Sequence, residues 1–247
     1  MYFDEPKSGT VTKRTIGAKP KAVATPAVVG KPAPARKRSR LDPQAREKMI
    51  LEGATIYFAR HGFASQTKDL AAELGVSQGL IFRYFGTKQH LVECVYQNVF
   101  LRRWSSKWER AMRERRRPLQ ERLEAFYLSY FEAIDDNAWI RVSLYAGLSG
   151  SDIISRYIRG NVDKILRVIA LELRVESAGA QDGPVDPMEY EVAWHLHSTF
   201  IYALIRKYVH GVSSPEDPVA FVKAIVHAFL HGAGRAAPPS GRVRPRA

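Results

Sequence analysis

The stretch TKDLAAELGVSQGLIFRYFGTKQHL, residues 67–91, decides how the chain is read. Thr67 opens a short helix with Leu70, Ala71 and Leu74 on one side, and Gly75 stops it. Ser77 opens a second helix in which Ile81 and Phe85 stand four residues apart, one helical turn. Gly86 ends that helix, and Thr87 caps a longer one through Leu91, Val95 and Val99 toward Trp104. Upstream, Asp42-Pro43 is a helix start, because Asp accepts from orphan amides and Pro suits the first turn. Ile50, Ala54, Tyr57 and Phe58 then form an apolar stripe that Gly62 closes. Helices are thus expected at 43–61, 67–74 and 77–85. The last two are joined by the tight Gly75-Val76 turn, the lengths and spacing of a helix-turn-helix. In such a unit the third helix presents its N-terminal residues to base edges.

Helical periodicity continues beyond this unit. Leu119, Leu123, Phe126, Tyr130 and Ile134 mark one helix, and Trp139 to Leu148 a shorter apolar segment. Ile153 to Val175 reads as a long helix, followed by a Gly- and Asp-containing loop over 177–187. Residues 188–209 and 218–231 read as the last two helices. No stretch alternates as a strand does. The expectation is an all-α protein of about nine helices. A helix-turn-helix domain at 43–103 (motif 66–85) is followed by a larger helical domain at 104–234. Residues 1–40, interrupted by Pro20, Pro26, Pro32 and Pro34 and ending in Arg36-Lys37-Arg38-Ser39-Arg40, read as a disordered basic tail. Residues 235–247 read the same way.

Charge is distributed unevenly along the 247 residues. Of the formal +13, residues 1–40 carry +8 and residues 41–117 carry +6. Residues 118–234 carry −5, and 235–247 add +4. A basic first half followed by an acidic body suits a chain whose N-terminal part meets a polyanion. Cys94 is the only cysteine, which excludes an internal disulfide and fits a reducing compartment. The N-terminus has no apolar signal-peptide core, and no apolar run approaches the roughly 20 residues of a membrane helix. A soluble, cytoplasmic protein with no membrane partner is expected.

Residues 67–91, with Ile50, Ala54, Phe58 and Gly62-Phe63 before them, resemble the tetracycline-repressor (TetR) family of transcription regulators. The shared pattern is Thr, Leu-Ala, Gly-Val-Ser-x-Gly, an aromatic, Tyr-Phe, then Lys and Leu. The resemblance covers about residues 43–103. It implies a DNA-binding, ligand-responsive homodimer, usually a repressor released from a palindromic operator by a small molecule. Carried over by position, Thr67 and Lys68 are expected to contact the DNA backbone. Ser77, Gln78 and Gly79 form the tip of the reading helix. The Gln78 amide suits adenine N6/N7, and Gly79 allows close approach. Tyr84 and Lys88 are expected to bind phosphate. Phe82 stands where the family usually has Tyr, and Arg83 is expected to replace the lost contact with one to phosphate or guanine. Ser77 and Thr87 are equally suited to cap helices, while Ile81 and Phe85 read as core.

The resemblance also implies a divergent helical domain for ligand binding and dimerisation. Most aromatics there are expected in the core. Trp139, Tyr145, Trp194 and His195 are the candidates for lining a pocket for a lipophilic or aromatic effector. The helices 188–209 and 218–231 are expected to form the homodimer seam. No cofactor and no metal site is expected: His227/His231 and Glu191/His195 are spaced four apart, but no third ligand accompanies either pair. No Gly-x-Ser-x-Gly, phosphate-binding Gly-rich loop or His-Glu-x-x-His occurs, so no catalytic residue is expected. Two other readings stand beside the regulator. One is a nucleoid-type binder dominated by the basic tail. The other is an enzyme or plain ligand-binding bundle, for which the basic helical unit has no purpose.

Overall fold

A computed structural model describes residues 42–179, 183–212 and 215–232, and every regular element in it is helical. The expected tails, 1–40 and 235–247, lie outside the described residues. The helices are α1 (Pro43–His61), α2 (Thr67–Glu73), α3 (Gln78–Phe85), α4 (Lys88–Val99), α5 (Lys107–Met112), α6 (Leu119–Ile134) and α7 (Asn137–Leu148). They continue with α8 (Ile153–Tyr157), α9 (Asp163–Ala178), α10 (Pro187–Tyr208) and α11 (Pro218–His231). A π-helical turn, Ile158–Val162, joins α8 to α9, so 153–178 is one interrupted run. Counted that way, the nine expected helices are present. The addition is the short α5, in a stretch too charged to show an apolar period.

Local chemistry sets the helix ends. Asp42 accepts from the Gln44 amide at 3.2 Å with Pro43 in the first turn. The Asp136 carboxylate accepts from Trp139 N at 2.8 Å, which starts α7 two residues before the apolar pattern does. Asp186 and Glu189 form a reciprocal capping box on α10. The helix expected to run from Thr87 toward Trp104 stops at Val99 and gives way to a 3₁₀ turn, Leu101–Arg103.

One hydrophobic core runs through the described residues from Ile50 to Val226. In its first part Ile50, Ala54 and Phe58 of α1 meet Leu70 of α2, Ile81 and Phe85 of α3, and Leu91 of α4. Gly53 permits that packing, because a Cβ there would sit 2.2 Å from Leu74 Cδ2. In the second part the aromatic face of α6 packs against α10 and α11. Tyr127 stacks on Phe200 at 4.3 Å between ring centres, and Phe131 meets Phe221 at 5.7 Å. The two parts are joined where α1 lies against α7. There Arg141 Nε donates to Ala59 O at 2.6 Å and the Tyr145 hydroxyl donates to Arg60 O at 3.0 Å. Those carbonyls belong to the last turn of α1, where helical geometry leaves them without amide partners.

Candidate nucleic-acid interface and the cavity behind it

The turn between α2 and α3 places Gly75 at φ 63, a left-handed conformation that glycine adopts without strain. The turn closes with Val76 N donating to Ala71 O at 3.0 Å. Ile81 and Phe85 anchor α3 in the core, so its leading end faces outward. Ser77, Gln78, Gly79 and Arg83 are exposed, as is Lys68 on α2. Ser77 Oγ accepts from Leu80 N at 3.2 Å, which makes it the helix cap. Thr87 caps α4 in the same way, accepting from His90 N at 3.0 Å. The first amides of α3 have no carbonyl within the helix, so they and the helix dipole form a positive end.

Gly79 is informative because nothing inside the protein requires it. A Cβ at this position would meet no atom within 4 Å, and its backbone is not in the left-handed region. Glycine inside a helix costs about 0.5–1 kcal/mol against alanine. Phe82, on the same helix, is a large apolar side chain left 37% exposed.

Other expected interface residues are placed less openly. Thr67 is 8% exposed, so most of its side chain is covered by the protein itself. Tyr84 and Lys88 are half-buried. Lys88 Nζ donates to Ser65 O at 2.6 Å, tying the first turn of α4 to the loop before α2. An ammonium has three protons, so this bond does not exhaust it.

Behind this unit α6, α7, the α8–α9 run and α10 line a cavity of about 350 Å³ that opens to solvent beside the exposed Leu148. Trp139 and Trp194 line it, joined by Tyr130, Tyr157, Leu144 and His197. Tyr145 and His195 are not among its walls. Tyr145 is engaged with α1 as described, and His195 is exposed. Two residues along a helix is roughly half a revolution, so His197 enters the buried stripe of Ala193, Leu196, Phe200 and Leu204 while His195 faces away. The signal for His197 was present in that spacing. Burial pushes the His197 pKa down to about 3, so its imidazole is neutral. Tyr157 was legible only as one more aromatic, because the π turn that aims this run is not visible as a period.

The cavity wall is also a contact to the interface unit. Ile154, Tyr157, Ile158 and Val162 of one short run line the cavity. Arg156, between them, donates to Glu93 of α4 at 2.7 Å and lies 4.6 Å from the centre of the Tyr96 ring. The Arg156 hydrogen bond leads the causes that hold the Glu93 carboxyl below its ordinary value, with burial opposing. Among the described residues no group of three or more His, Cys, Asp or Glu is arranged to hold a metal ion. No described helix is long and apolar enough to cross a membrane. Cys94 is half-buried and its thiol pKa is raised, chiefly by burial and then by Glu47 and Glu93.

Comparison with known proteins agrees with the helix-turn-helix geometry. Residues 50–95 match the family described as bacterial regulatory proteins, tetR family. An HTH-type transcriptional repressor of Mycobacterium tuberculosis is 41% identical over 70 residues, 27% of this chain. The match spans 37% of the repressor's length, so it speaks for the N-terminal unit alone. An uncharacterized HTH-type transcriptional regulator of Bacillus subtilis, YhgD, is 24% identical over 163 residues, 65% of this chain and 82% of that one. A TetR-like transcriptional regulator from Rhodococcus sp. RHA1 shares the fold, with a TM-score of 0.56 at 17% identity over 78% of this chain and all of that one. The leading helices thus match the tetR family of bacterial regulatory proteins in sequence over residues 50–95, and most of the chain matches a TetR-like regulator in fold.

Proposed function

We propose that this protein is a sequence-specific DNA-binding transcription regulator and acts as a repressor. Two copies present their α3 helices to a palindromic operator, and a small molecule in the cavity behind releases them. The exposed tip of α3 supports this reading most directly, above all a Gly79 that the protein's own packing does not call for. A glycine there lets a backbone approach a groove floor more closely than any other residue would. Gln78 beside it is the base reader, with Lys68, Arg83, Tyr84 and Lys88 holding phosphates. The Mycobacterium tuberculosis relative, named a repressor, supports the direction of regulation.

Dimerisation rests on α10 and α11. Met188, Val192 and Tyr202 of α10 and Val219 of α11 are large apolar side chains left exposed, the kind of surface that marks a protein interface. For release, the effector must bind the DNA-free arrangement more tightly than the DNA-bound one. The run containing Arg156 offers the route, since one face of it touches the cavity and the other grips α4. No chemical transformation is assigned to the protein.

Fluorescence anisotropy with an operator and a scrambled duplex tests the reading. Gln78→Ala is expected to weaken the operator about tenfold or more and scrambled DNA little. Lys88→Ala should weaken both alike and lower the salt slope by about one. Equal losses on the two duplexes for Gln78→Ala would remove it as a base reader.

A further inference from the structure

Two charged side chains on the outer face of α10 have no partner in their own chain, and they are spaced as a helix paired with its own copy would need. The buried face of α10 is built from Ala193, Leu196, His197, Phe200 and Leu204. A helix turns about 100° per residue, so Glu191 and Arg206 both fall on the opposite face, Glu191 exposed and Arg206 half-buried. Among the described residues neither side chain makes a hydrogen bond or an ion pair. Other charges on α10 are matched: Glu189 pairs with Arg174 and Lys207 with Asp135. At about 1.5 Å per residue, Glu191 and Arg206 stand about 22 Å apart along the helix, so they cannot meet within one chain.

An antiparallel pair of α10 helices crossing between Ser198 and Thr199 brings them together. Glu191 then opposes Arg206 of the partner subunit at one end, and the reciprocal pair forms at the other, as a two-fold interface requires. The same register sets the exposed Met188 against the partner's Val209 and His195 against the partner's Tyr202. The small Ser198 and Thr199 lie where the helices approach most closely. A parallel pair would oppose Glu191 to Glu191 and Arg206 to Arg206. Slipping the antiparallel pair by one turn in either direction separates the opposite charges. Arg206 Nε is covered by its own chain, so the partner's carboxylate meets the terminal guanidinium nitrogens, which carry four of its five N–H donors.

We propose that α10 pairs antiparallel with α10 of a second copy in this register, closed at each end by an ion pair between Glu191 and the partner's Arg206, and that these pairs select an identical chain as the partner. The inference rests on the two-copy reading above and deepens it by naming what the two copies recognise in each other. Complementary charges contribute to specificity by penalising wrong partners: a chain without them leaves two charges facing no counter-charge.

Sedimentation velocity of the full chain and its charge-reversal variants at low salt tests this. Glu191→Arg alone and Arg206→Glu alone should each weaken dimerisation at least about tenfold, because each homodimer then holds two like-charge contacts. Mixing the two single variants should restore a dimer, since both contacts in the mixed pair are again opposite in sign. The double variant Glu191→Arg/Arg206→Glu should dimerise as the wild type does. Both rescues show that the variants fold, and the distance within one chain assigns them to contacts between chains. Single variants that dimerise like the wild type would overturn the proposal, as would single variants that neither the mixture nor the double variant rescues. Operator binding is measured on the same preparations. A dimeric wild type that binds the operator, with no effect of charge reversal, removes this register alone. A dimer with the expected rescues and no specific DNA binding removes the regulator reading alone, and a monomeric wild type removes both the register and the two-copy mechanism.

Discussion

At Gly79 stability and function are set against each other. Its Cβ position is open and its backbone ordinary, so Gly79→Ala is expected to raise the stability of the fold by about 0.5–1 kcal/mol, read from urea unfolding. The same substitution should weaken operator binding, because the added methyl meets the DNA. A variant that is more stable and binds as well as the wild type would place the α3 tip away from the groove. Tyr145 makes the complementary case. Its hydroxyl satisfies the Arg60 carbonyl at the end of α1, so Tyr145→Phe should cost about 1 kcal/mol in unfolding experiments. Residue type, with a place on the middle helices that surround the pocket in the family resembled, suggests Tyr145 and His195 as cavity residues. What decides such assignments is the face of the helix, and for α10 the spacing of Ala193, Leu196 and Phe200 already pointed to His197. For Tyr145 no spacing could say so, because the end of α1 reaches it only in the folded chain.

Among the elements, those with an apolar helical period or a capping residue were legible, and the two with neither were not. α1, α3, α10 and α11 are opened by Asp or Ser caps that the structure shows accepting from backbone amides. α5 has no capping side chain, and the π turn at 158–162 has no sequence mark. Long-range charge pairing was equally hidden. Glu172 of α9, 1% exposed, accepts from Arg122 of α6 at 2.7 Å and from Arg115 of the α5–α6 loop at 2.9 Å. Burial alone would raise the Glu172 pKa, but the two guanidiniums outweigh it and hold the value below normal. A depressed folded-state pKa stabilises the fold above the unfolded-chain value, about 4.3 for Glu. That contribution is lost as pH falls through the folded value. Glu172→Gln is therefore expected to destabilise the protein by about 3–5 kcal/mol at neutral pH, since it leaves Arg122 buried without its counter-charge. It should also flatten the acid limb of the stability curve below about pH 4.3. Chemical denaturation between pH 3 and 7 checks both, and parallel curves for the two proteins would show that the triad does not set the acid limb.

For the whole molecule, the proposed mechanism needs two copies. The exposed apolar residues of α10 and α11 are the expected seam, so Tyr202→Glu combined with Val192→Glu should give monomers in sedimentation velocity. Operator affinity should fall with it, since a single short α3 makes few base contacts. A monomer that binds the operator at full strength would separate dimerisation from recognition. The basic residues of 1–40 offer a competing source of DNA affinity, one of charge without sequence. Selection of bound duplexes from random DNA by the full-length protein, at near-physiological salt, tests the central claim most directly. The account predicts a palindromic consensus with half-sites centred about 10 base pairs, or a multiple of that, apart, kept when residues 1–40 are deleted. A pool that never converges, or affinity that disappears with residues 1–40, would contradict it.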